Sequence, residues 1–580
     1  MDSSTMTDLA LPVNAARSRS IGLLEDVVER WAADQPTATA CSAPDGVLDF
    51  AGLAERTTAI AGALAAAGAG PGTTIALTTG RSRLAVASLL AVWRLGATAV
   101  LLDERHPAAR TAEVLDDADV SLILGQRPPG APAAVPVLDP ESAEGGRFTV
   151  AGGEIAYLVH TSGSAGRPKG VEVTYAGLET VLGAMSTLHI GPGGLGINPL
   201  SPAFDGWLWC VLLHLLNGIG TAILDLADDG EHVDLAGRIA AVAPRTASLT
   251  PSLLASCADA LAGAEVVVVA GERCPRGLLE VLLARHRVLN VYGPTEATIA
   301  ATCADSARGD DVTTIGRPLP GYLARVLDAD LRPVPAGTRG ELCLGGTALA
   351  RGYRGDPDLT ARRFVTVDGE RLFRTGDEVL ARPDGQLEFL GRLDTQVKVR
   401  GFRIELGEVE RVVEQLPAVI AATAFVRTAG GTLGVAAVLA DGHDPVAGTL
   451  LVREHCRTFL PEHMLPSTVD FVPALPHTDR GKVDRAALAL AADAARPAGR
   501  APATPREHEV CAVFAEVLDQ PVADVAADFF ELGGHSLLAA RMVATLRKRT
   551  GLRASIPLLL GHPNPAALAA ELDRLAEVSA

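Results

Sequence analysis

Short apolar runs of strand length recur along the first half of this chain, each flanked by segments long enough for a helix. Arg83–Leu95 reads as a helix, and it passes through Gly96 into the apolar run Ala97–Leu102, which ends at Asp103. Val120–Leu124, Ile155–Val159, Ala222–Leu226 and Glu265–Ala270 repeat the pattern. A strand that is apolar on both faces must be covered on both, so the alternation predicts large α/β layers holding mostly parallel sheet. From Ile21 to about Ala67 the pattern is helical. After about residue 320 the texture changes. Arg325–Leu327, Gly340–Leu344, Leu387–Phe389 and Gln396–Arg400 are short strands joined by Gly, Pro and Asp turns, which predicts a β-rich subdomain. A small α+β unit follows, with Gly407–Leu416 as a helix. The Ala/Pro-rich stretch 491–505 reads as an extended linker. Beyond it, 506–520, 536–549 and 564–578 predict a short helical bundle. The expected units are thus 1–393, 394–490, the linker 491–505, and 506–580.

The sharpest local signal is YLVHTSGSAGRPKGVEV, residues 157–173. An apolar strand, Tyr157–Val159, opens into Thr161, Ser162, Gly163, Ser164, Ala165 and Gly166, with Lys169 and Gly170 behind. Small residues let backbone N–H groups close on a polyphosphate, hydroxyls add donors, and Lys169 adds charge. The GxxxxGK[ST] spacing of a Walker A loop is missing.

The run TSGSAGRPKG resembles the signature loop of the adenylate-forming enzymes, and within them the amino-acid adenylation domains of nonribosomal peptide synthetases. Ala165 stands where the family usually has threonine. The resemblance covers nearly the whole chain. YGPTE at 292–296 matches a family motif: Tyr292 suits adenine stacking, Thr295 a phosphate oxygen, and Glu296 a Mg²⁺ ion. FRTGD at 373–377 resembles YRTGD, which implies that Asp377 accepts the ribose hydroxyls. The run GRLDTQVKVRGFRIELGEVE, 391–410, is very close to the family's junction between large and small subdomains. It implies Arg392 near the ribose, Asp394 as the hinge, and Gly401 close to a pantetheine tunnel. LPEHMLP at 460–466 and DRGKVDR at 479–485 resemble two further motifs. The second implies Lys482 as the catalytic cation that follows charge from the substrate carboxylate to the α-phosphate. Lys169 joins it as a catalytic residue at the phosphates.

FDGWLW, 204–209, aligns with the family's acid-pocket segment. The resemblance implies that Asp205 pairs with the α-ammonium of an amino acid. A buried carboxylate facing apolar walls is costly unless the ligand brings a cation. Carrying the spacing forward, the wall comprises Gly206, Trp209, Ser248, Val268, Ala270, Val291, Ile299 and Ala300. Nearly all are apolar, none is an acid or base, and Ser248 is the one hydroxyl. The set resembles pockets for phenylalanine and related aromatics. Tryptophan, tyrosine or a branched aliphatic fits the same wall, because one methylene or hydroxyl moves selectivity little there.

DFFELGGHSL, 528–537, resembles the peptidyl carrier signature. Ser536 is then the attachment point for 4'-phosphopantetheine, added by a separate phosphopantetheinyl transferase. The expected activity is ATP- and Mg²⁺-dependent adenylation of an amino acid, then thioester loading onto the chain's own carrier arm. The chain reads as a free-standing loading pair of an antibiotic or other secondary-metabolite pathway. Its expected partners are a downstream tailoring enzyme or synthetase subunit and a small activator of the MbtH type. An acyl-CoA or aryl-acid ligase is the alternative enzyme, and a non-catalytic carrier or docking platform the alternative outside catalysis. A net charge of −18 offers no field for nucleic acid. The N-terminus lacks a signal peptide and no run of about 20 apolar residues occurs, so we expect a cytoplasmic protein without a membrane span. Eight cysteines without a CxxC pair predict neither disulfides nor a zinc site.

Overall fold

In a computed structural model, the described residues are all those outside 1–21, 162–167, 226–234, 394–395, 400–401, 428–431, 441–444, 478–482, 495–499, 519–521, 530–531, 533–535, 553, 556–557, 560–561 and 580. The chain divides into two compact units; described residues up to Arg403 belong to the first and those from Ile404 onward to the second.

Two mixed sheets build most of the first unit. One has seven strands in the order Gly352–Tyr353, Lys169–Thr174, Ile155–Thr161, Thr98–Leu101, Thr74–Leu77, Leu122–Leu124, Val137–Leu138. The other has nine: Arg317–Pro318, Thr302–Asp305, Arg287–Tyr292, Val266–Ala270, Thr246–Leu249, Leu195–Asn198, Gly220–Ile223, Thr39–Ala43, Gly46–Asp49. Both are parallel at the centre, as the buried apolar strands require; the nine-stranded sheet is antiparallel at both edges, and the seven-stranded sheet at the Gly352–Tyr353 edge only, Val137–Leu138 pairing parallel at the other. Every residue of Ile155–Thr161 is buried. Helices pack over these sheets, and their starts follow from local chemistry. Asp49 caps Phe50–Ala66 by accepting from Gly52 N at 2.7 Å, and Thr174 caps Tyr175–Ser186 by accepting from Gly177 N at 3.0 Å. The helix Asp205–Leu216 is buried from Trp207 onward, in keeping with its unbroken apolar run.

The β-rich part is a five-stranded antiparallel sheet, in which Glu370–Ala381 pairs with Arg339–Gly346, Phe364–Val367 and Leu387–Arg392. The second unit contains a three-stranded sheet, Val419–Val426, Leu433–Leu439 and Thr468–Phe471, with the helix Leu406–Glu414. It also contains the helices Pro505–Leu518, Ser536–Thr550 and Pro565–Ser579, which share a core centred on Phe514 and Phe529, edge to face at 5.4 Å.

Two readings need correction. The helical stretch expected from Ile21 to Ala67 is two helices, Gly22–Asp34 and Phe50–Ala66, separated by the hairpin Thr39–Ala43/Gly46–Asp49. Thr39–Ala43 pairs with Gly220–Ile223, about 180 residues away, and that non-local pairing overrides the local pattern. The Ala/Pro-rich 491–505 is not extended throughout. Its first residues close the helix Arg485–Ala494, because alanine is the strongest helix former, and Pro505 opens the next helix at its first turn. Among the described residues no helix is long and apolar enough to cross a membrane. The eight cysteines are free thiols.

Candidate active site

Adjacent strands of the nine-stranded sheet end around a cavity of about 620 Å³ in the first unit. Thr161, Asp205, Gly206, Trp209, Ser248, Ala270, Val291, Tyr292, Thr295, Ile299, Asp377 and Arg392 all reach its surface, so residues spread over more than 230 positions of sequence meet there. Val268 and Ala300 are fully buried beside it and do not reach that surface.

At one side Asp377 organises the wall. Its Oδ2 accepts the Tyr292 hydroxyl and its Oδ1 accepts Arg392 Nη1 at 2.7 Å. Arg392 also donates to the Thr375 carbonyl at 2.9 Å. The carboxylate is buried with one donor on each oxygen, which leaves acceptor positions on both, and the Tyr292 ring beside it offers a flat face. Thr161 ends its strand with its hydroxyl buried and without a hydrogen-bond partner, an open donor where the small-residue loop begins. The loop residues Ser162, Gly163, Ser164 and Gly166 lie outside the described residues. The loop joins two antiparallel strands, with Thr161 opposite Lys169. The Lys169 ammonium sits 5.0 Å from the centre of the Tyr353 ring.

Glu296 follows in the turn after Tyr292. It is fully buried; Oε1 accepts the Tyr353 hydroxyl at 2.6 Å and Oε2 accepts Arg403 Nη1 at 2.9 Å. Burial alone would raise its carboxyl, but Arg403 and Lys169 hold it down at about 2. The backbone turns sharply just after it: Thr298 and Ile299 both have positive φ, 54° and 71°. For β-branched residues this is a strained conformation, held here by Thr298 Oγ1 donating to the Ala348 carbonyl at 2.6 Å. The turn presents Ile299 to the cavity.

At the other side, Asp205 begins the helix that carries Gly206 and Trp209. One of its carboxylate oxygens is closed to water and has no hydrogen-bond partner. Burial pushes its carboxyl up to about 6, against the pull of a hydrogen bond from Thr295. Trp209 lies one turn further along the same face and donates its indole N–H to Ser248 Oγ at 3.3 Å. A Cβ at Gly206 would stand 3.2 Å from Leu200, so glycine keeps this side open.

Sequence reasoning missed much of the lining, Gln396, Lys398, Phe402 and Arg403 included. Lys398 Nζ stands 5.7 Å from the Tyr292 ring centre, and Phe402 meets Phe204 edge to face at 5.1 Å. Their run was quoted for its resemblance to the subdomain junction. Alternation along the strand Gln396–Val399, which sends Gln396 and Lys398 to one face, was the available signal. Asp394, Gly401 and Lys482 lie outside the described residues. Ser536 is the first residue of the helix Ser536–Thr550. Among the described residues no cluster of three or more His, Cys, Asp or Glu could hold a metal by itself.

Three family models match the chain: the AMP-binding enzyme over 28–354, the AMP-binding enzyme C-terminal domain over 408–482, and the phosphopantetheine attachment site over 508–572. The novobiocin biosynthesis protein H of Streptomyces niveus is 38% identical over 580 residues, covering 94% of this chain and 95% of its own. Among solved structures, holo-PA1221, described as an NRPS protein containing adenylation and PCP domains and bound to a vinylsulfonamide inhibitor, has a TM-score of 0.73 at 27% identity, covering 95% of this chain and 96% of that one. Holo-AB3403, a four-domain nonribosomal peptide synthetase bound to AMP and glycine, has a TM-score of 0.58 at 30% identity, covering 96% of this chain and 43% of that one.

Proposed function

This chain belongs to the AMP-binding enzymes, as an adenylation domain fused to a phosphopantetheine carrier domain of the nonribosomal peptide synthetase kind, and from that premise we propose that it activates a hydrophobic or aromatic α-amino acid of the phenylalanine class. Adenylate formation followed by thioester loading is the family's chemistry; the substrate and the residue roles are our reading. The observation that carries it is Asp205, a carboxylate with a buried, unpartnered oxygen, in a cavity whose wall also includes Gly206, Trp209, Ala270, Val291 and Ile299. An α-ammonium supplies the missing partner, and a carboxylic acid without an amine does not. The glycine and AMP bound by holo-AB3403 support an amino acid and a nucleotide as ligands here.

In the first half-reaction, a substrate carboxylate oxygen bonds to the α-phosphorus of ATP and pyrophosphate leaves. Asp205 holds the amine and so aims the carboxylate. The Tyr292 face takes adenine, and Asp377, steadied by Arg392, accepts the ribose hydroxyls. Thr161, the loop residues Ser162, Gly163, Ser164 and Gly166, Lys169 and Thr295 hold the phosphates. Lys482 supplies the cation at the reacting phosphate. Glu296 fits as a protein ligand to Mg²⁺, since it stays ionised and each oxygen keeps a lone pair beyond its present donor. An ion held by one carboxylate plus substrate phosphates is the usual arrangement for Mg²⁺ and needs no acidic cluster. When bound, Mg²⁺ offsets charge on the phosphates. Asp394 serves as the hinge between the half-reactions, with 1–393 and 394–490 as the large and small subdomains, 491–505 as linker and 506–580 as carrier. Ser536, at a helix N-terminus suited to a phosphodiester, carries the pantetheine arm, whose thiol accepts the acyl group. The arm requires a phosphopantetheinyl transferase, and the loaded chain serves a tailoring enzyme or a synthetase subunit.

ATP–pyrophosphate exchange over an amino-acid panel tests this reading. We expect exchange that depends on an apolar or aromatic α-amino acid and is absent with the matched deamino acid. Exchange supported equally by both would overturn it.

A further inference from the structure

Asp205 opens its helix without a capping side chain. Phe204 before it is extended and makes no side-chain capping bond. The direction of the Asp205 carboxylate is therefore set by the turn that leads into the helix, residues 199–204. That turn is held at two points. At its foot stands fully buried Asn198, whose amide donates to the Trp207 carbonyl at 3.1 Å and whose side-chain oxygen accepts Leu200 N–H at 3.3 Å. At its crown stands Ser201. Its carbonyl accepts Phe204 N–H at 3.1 Å, and its Oγ accepts Ala203 N–H at 3.4 Å and donates to Asp103 Oδ2 at 2.6 Å.

Asp103 comes from the other sheet, just past the strand Thr98–Leu101. It is 5% exposed, and it is not among the residues that line the cavity, whereas Pro199, Leu200 and Ser201 are. Its Oδ2 also accepts Arg81 Nη2 at 2.7 Å, and its Oδ1 accepts Arg105 N–H at 3.1 Å. Burial would raise its carboxyl, but Arg81 and Ser201 bring it below the ordinary value. Arg81 reaches Glu104 and Asp225 as well, each at 3.7 Å, and Arg105 pairs with Asp225. The backbones also meet closely: a Cβ on Gly80 would stand 2.3 Å from the Pro202 ring. Apolar packing would join the two sheets at least as stably as buried charges do. What a satisfied polar network adds is a single geometry.

We infer that the Asp103–Ser201 hydrogen bond is a positioning element for amine recognition: it fixes the turn 199–204 so that Asp205 faces the substrate ammonium. The inference rests on the reading of Asp205 as the amine partner and deepens it. Asp103 acts only through the turn, so it is a positioning residue. A loosened turn moves the carboxylate off the ammonium, and a misplacement of about 1 Å is enough to matter. Tyr292, Asp377 and Thr161 stand on other strands, so the nucleotide side stays in place.

The test compares the full chain as wild type, Ser201→Ala, Ser201→Thr, Asp103→Ala and the Ser201→Ala/Asp103→Ala double variant. The readouts are KM for ATP, KM for the apolar amino acid that best supports ATP–pyrophosphate exchange, and the inhibition constant of its deamino acid (3-phenylpropanoate for phenylalanine). Ser201→Ala should raise the amino-acid KM by about tenfold, the effect of one hydrogen bond to a charged group. KM for ATP and the deamino inhibition constant should stay near wild type. Ser201→Thr, which keeps the hydroxyl, should recover the wild-type KM. Asp103→Ala should match Ser201→Ala, and the double variant should be no worse than the worse single, because both changes break one bond. Asp103→Ala also strips a partner from Arg81, so a thermal melt accompanies it; where it does not fold, Ser201→Ala against Ser201→Thr decides. An amino-acid KM unmoved in Ser201→Ala overturns the inference. Equal losses in all three constants overturn it too, since they mark a general folding defect. So does a loss in Ser201→Ala that a folded Asp103→Ala does not share, which would put Ser201 in direct contact with substrate. A wild type that binds the amino acid and its deamino acid equally well overturns the reading of Asp205 itself.

Discussion

Replacing Asp205 by Asn should change substrate use and stability in opposite directions, and both effects depend on pH. Burial raises this carboxyl from an ordinary 3.8 to about 6, so in the ligand-free protein the ionised form is disfavoured by about 3 kcal/mol. The folded state then binds a proton more tightly than the unfolded chain. The stability this one group contributes is greatest below pH 4, falls as pH rises from about 4 to 6, and stays at the lower level above. Asp205→Asn removes the penalty, so without ligand it should melt later than wild type at pH 8 and together with it at pH 4. Function runs the other way. Only the ionised carboxylate pairs with the substrate ammonium, so wild-type kcat/KM should fall about tenfold per pH unit below 6. Losing one partner of a buried ion pair costs roughly 3–5 kcal/mol, which is about 10²–10³-fold or more in kcat/KM for the amino acid at pH 8. The deamino analogue should be used no worse by the variant. The assays are thermal melts at the two pH values and ATP–pyrophosphate exchange from pH 5 to 8. A flat pH profile, or equal losses with amine and deamino substrates, refutes the assignment of Asp205 to the amine.

Three further outcomes are expected. Lys482→Ala should lower the pre-steady-state rate of acyl-adenylate formation by about 10²–10³-fold while leaving amino-acid binding nearly intact; an unchanged rate removes Lys482 from the mechanism. Ser536→Ala should keep exchange near wild type and abolish the mass gained from a phosphopantetheinyl transferase and the subsequent aminoacyl load, read on the intact folded protein; a variant that still gains both moves the attachment site elsewhere. Arg403→Met should leave the Glu296 carboxylate buried without its cation, at a cost of about 3–5 kcal/mol at neutral pH. The stability that wild type owes to this depressed carboxyl is present above its ordinary 4.5 and lost toward 2, so the gap between variant and wild type should close in acid, and identical melts at pH 7 would contradict the pairing.

The layered α/β core was legible because its strands are short, apolar on both faces and separated by helices, a pattern few architectures satisfy. The hairpin after Asp34 was not, because Thr39–Ala43 is a strand only by virtue of its partner at Gly220–Ile223. The same distinction separates the site residues. Tyr292, Asp377 and Asp205 stand in contiguous motifs, and the structure brings all three to one cavity. The Arg403 partnership with Glu296 spans 107 positions and nothing in either local sequence announces it. The Ser248 and Trp209 bond is of the same kind: spacing proposed both as wall residues, and only packing shows that they hydrogen-bond to each other.

Net charge is a poor guide to such a site, and the cavity shows why. The whole chain stands at −18, yet the cavity is lined by Asp205, Glu272, Asp377 and Glu388 against Arg273, Arg392, Lys398 and Arg403, so the surplus of acid lies elsewhere. Within the balanced set the charges are unequally committed. Arg392 is tied to Asp377 and Arg403 to buried Glu296, while Glu272 accepts the backbone N–H and hydroxyl of Ser252. Asp205 has a buried carboxylate oxygen without a hydrogen-bond partner. A polyanion entering this space meets cations already partly neutralised by the protein's own acids, Arg392 by Asp377 and Arg403 by Glu296. Among the described residues, Asp205 and Glu272, unlike Asp377 and Glu388, have no arginine in hydrogen-bond contact. On the proposed reading, a zwitterionic acid is oriented by charge before its side chain makes contact: its amine is drawn to Asp205, and its carboxylate faces the side where the phosphate charge must be met.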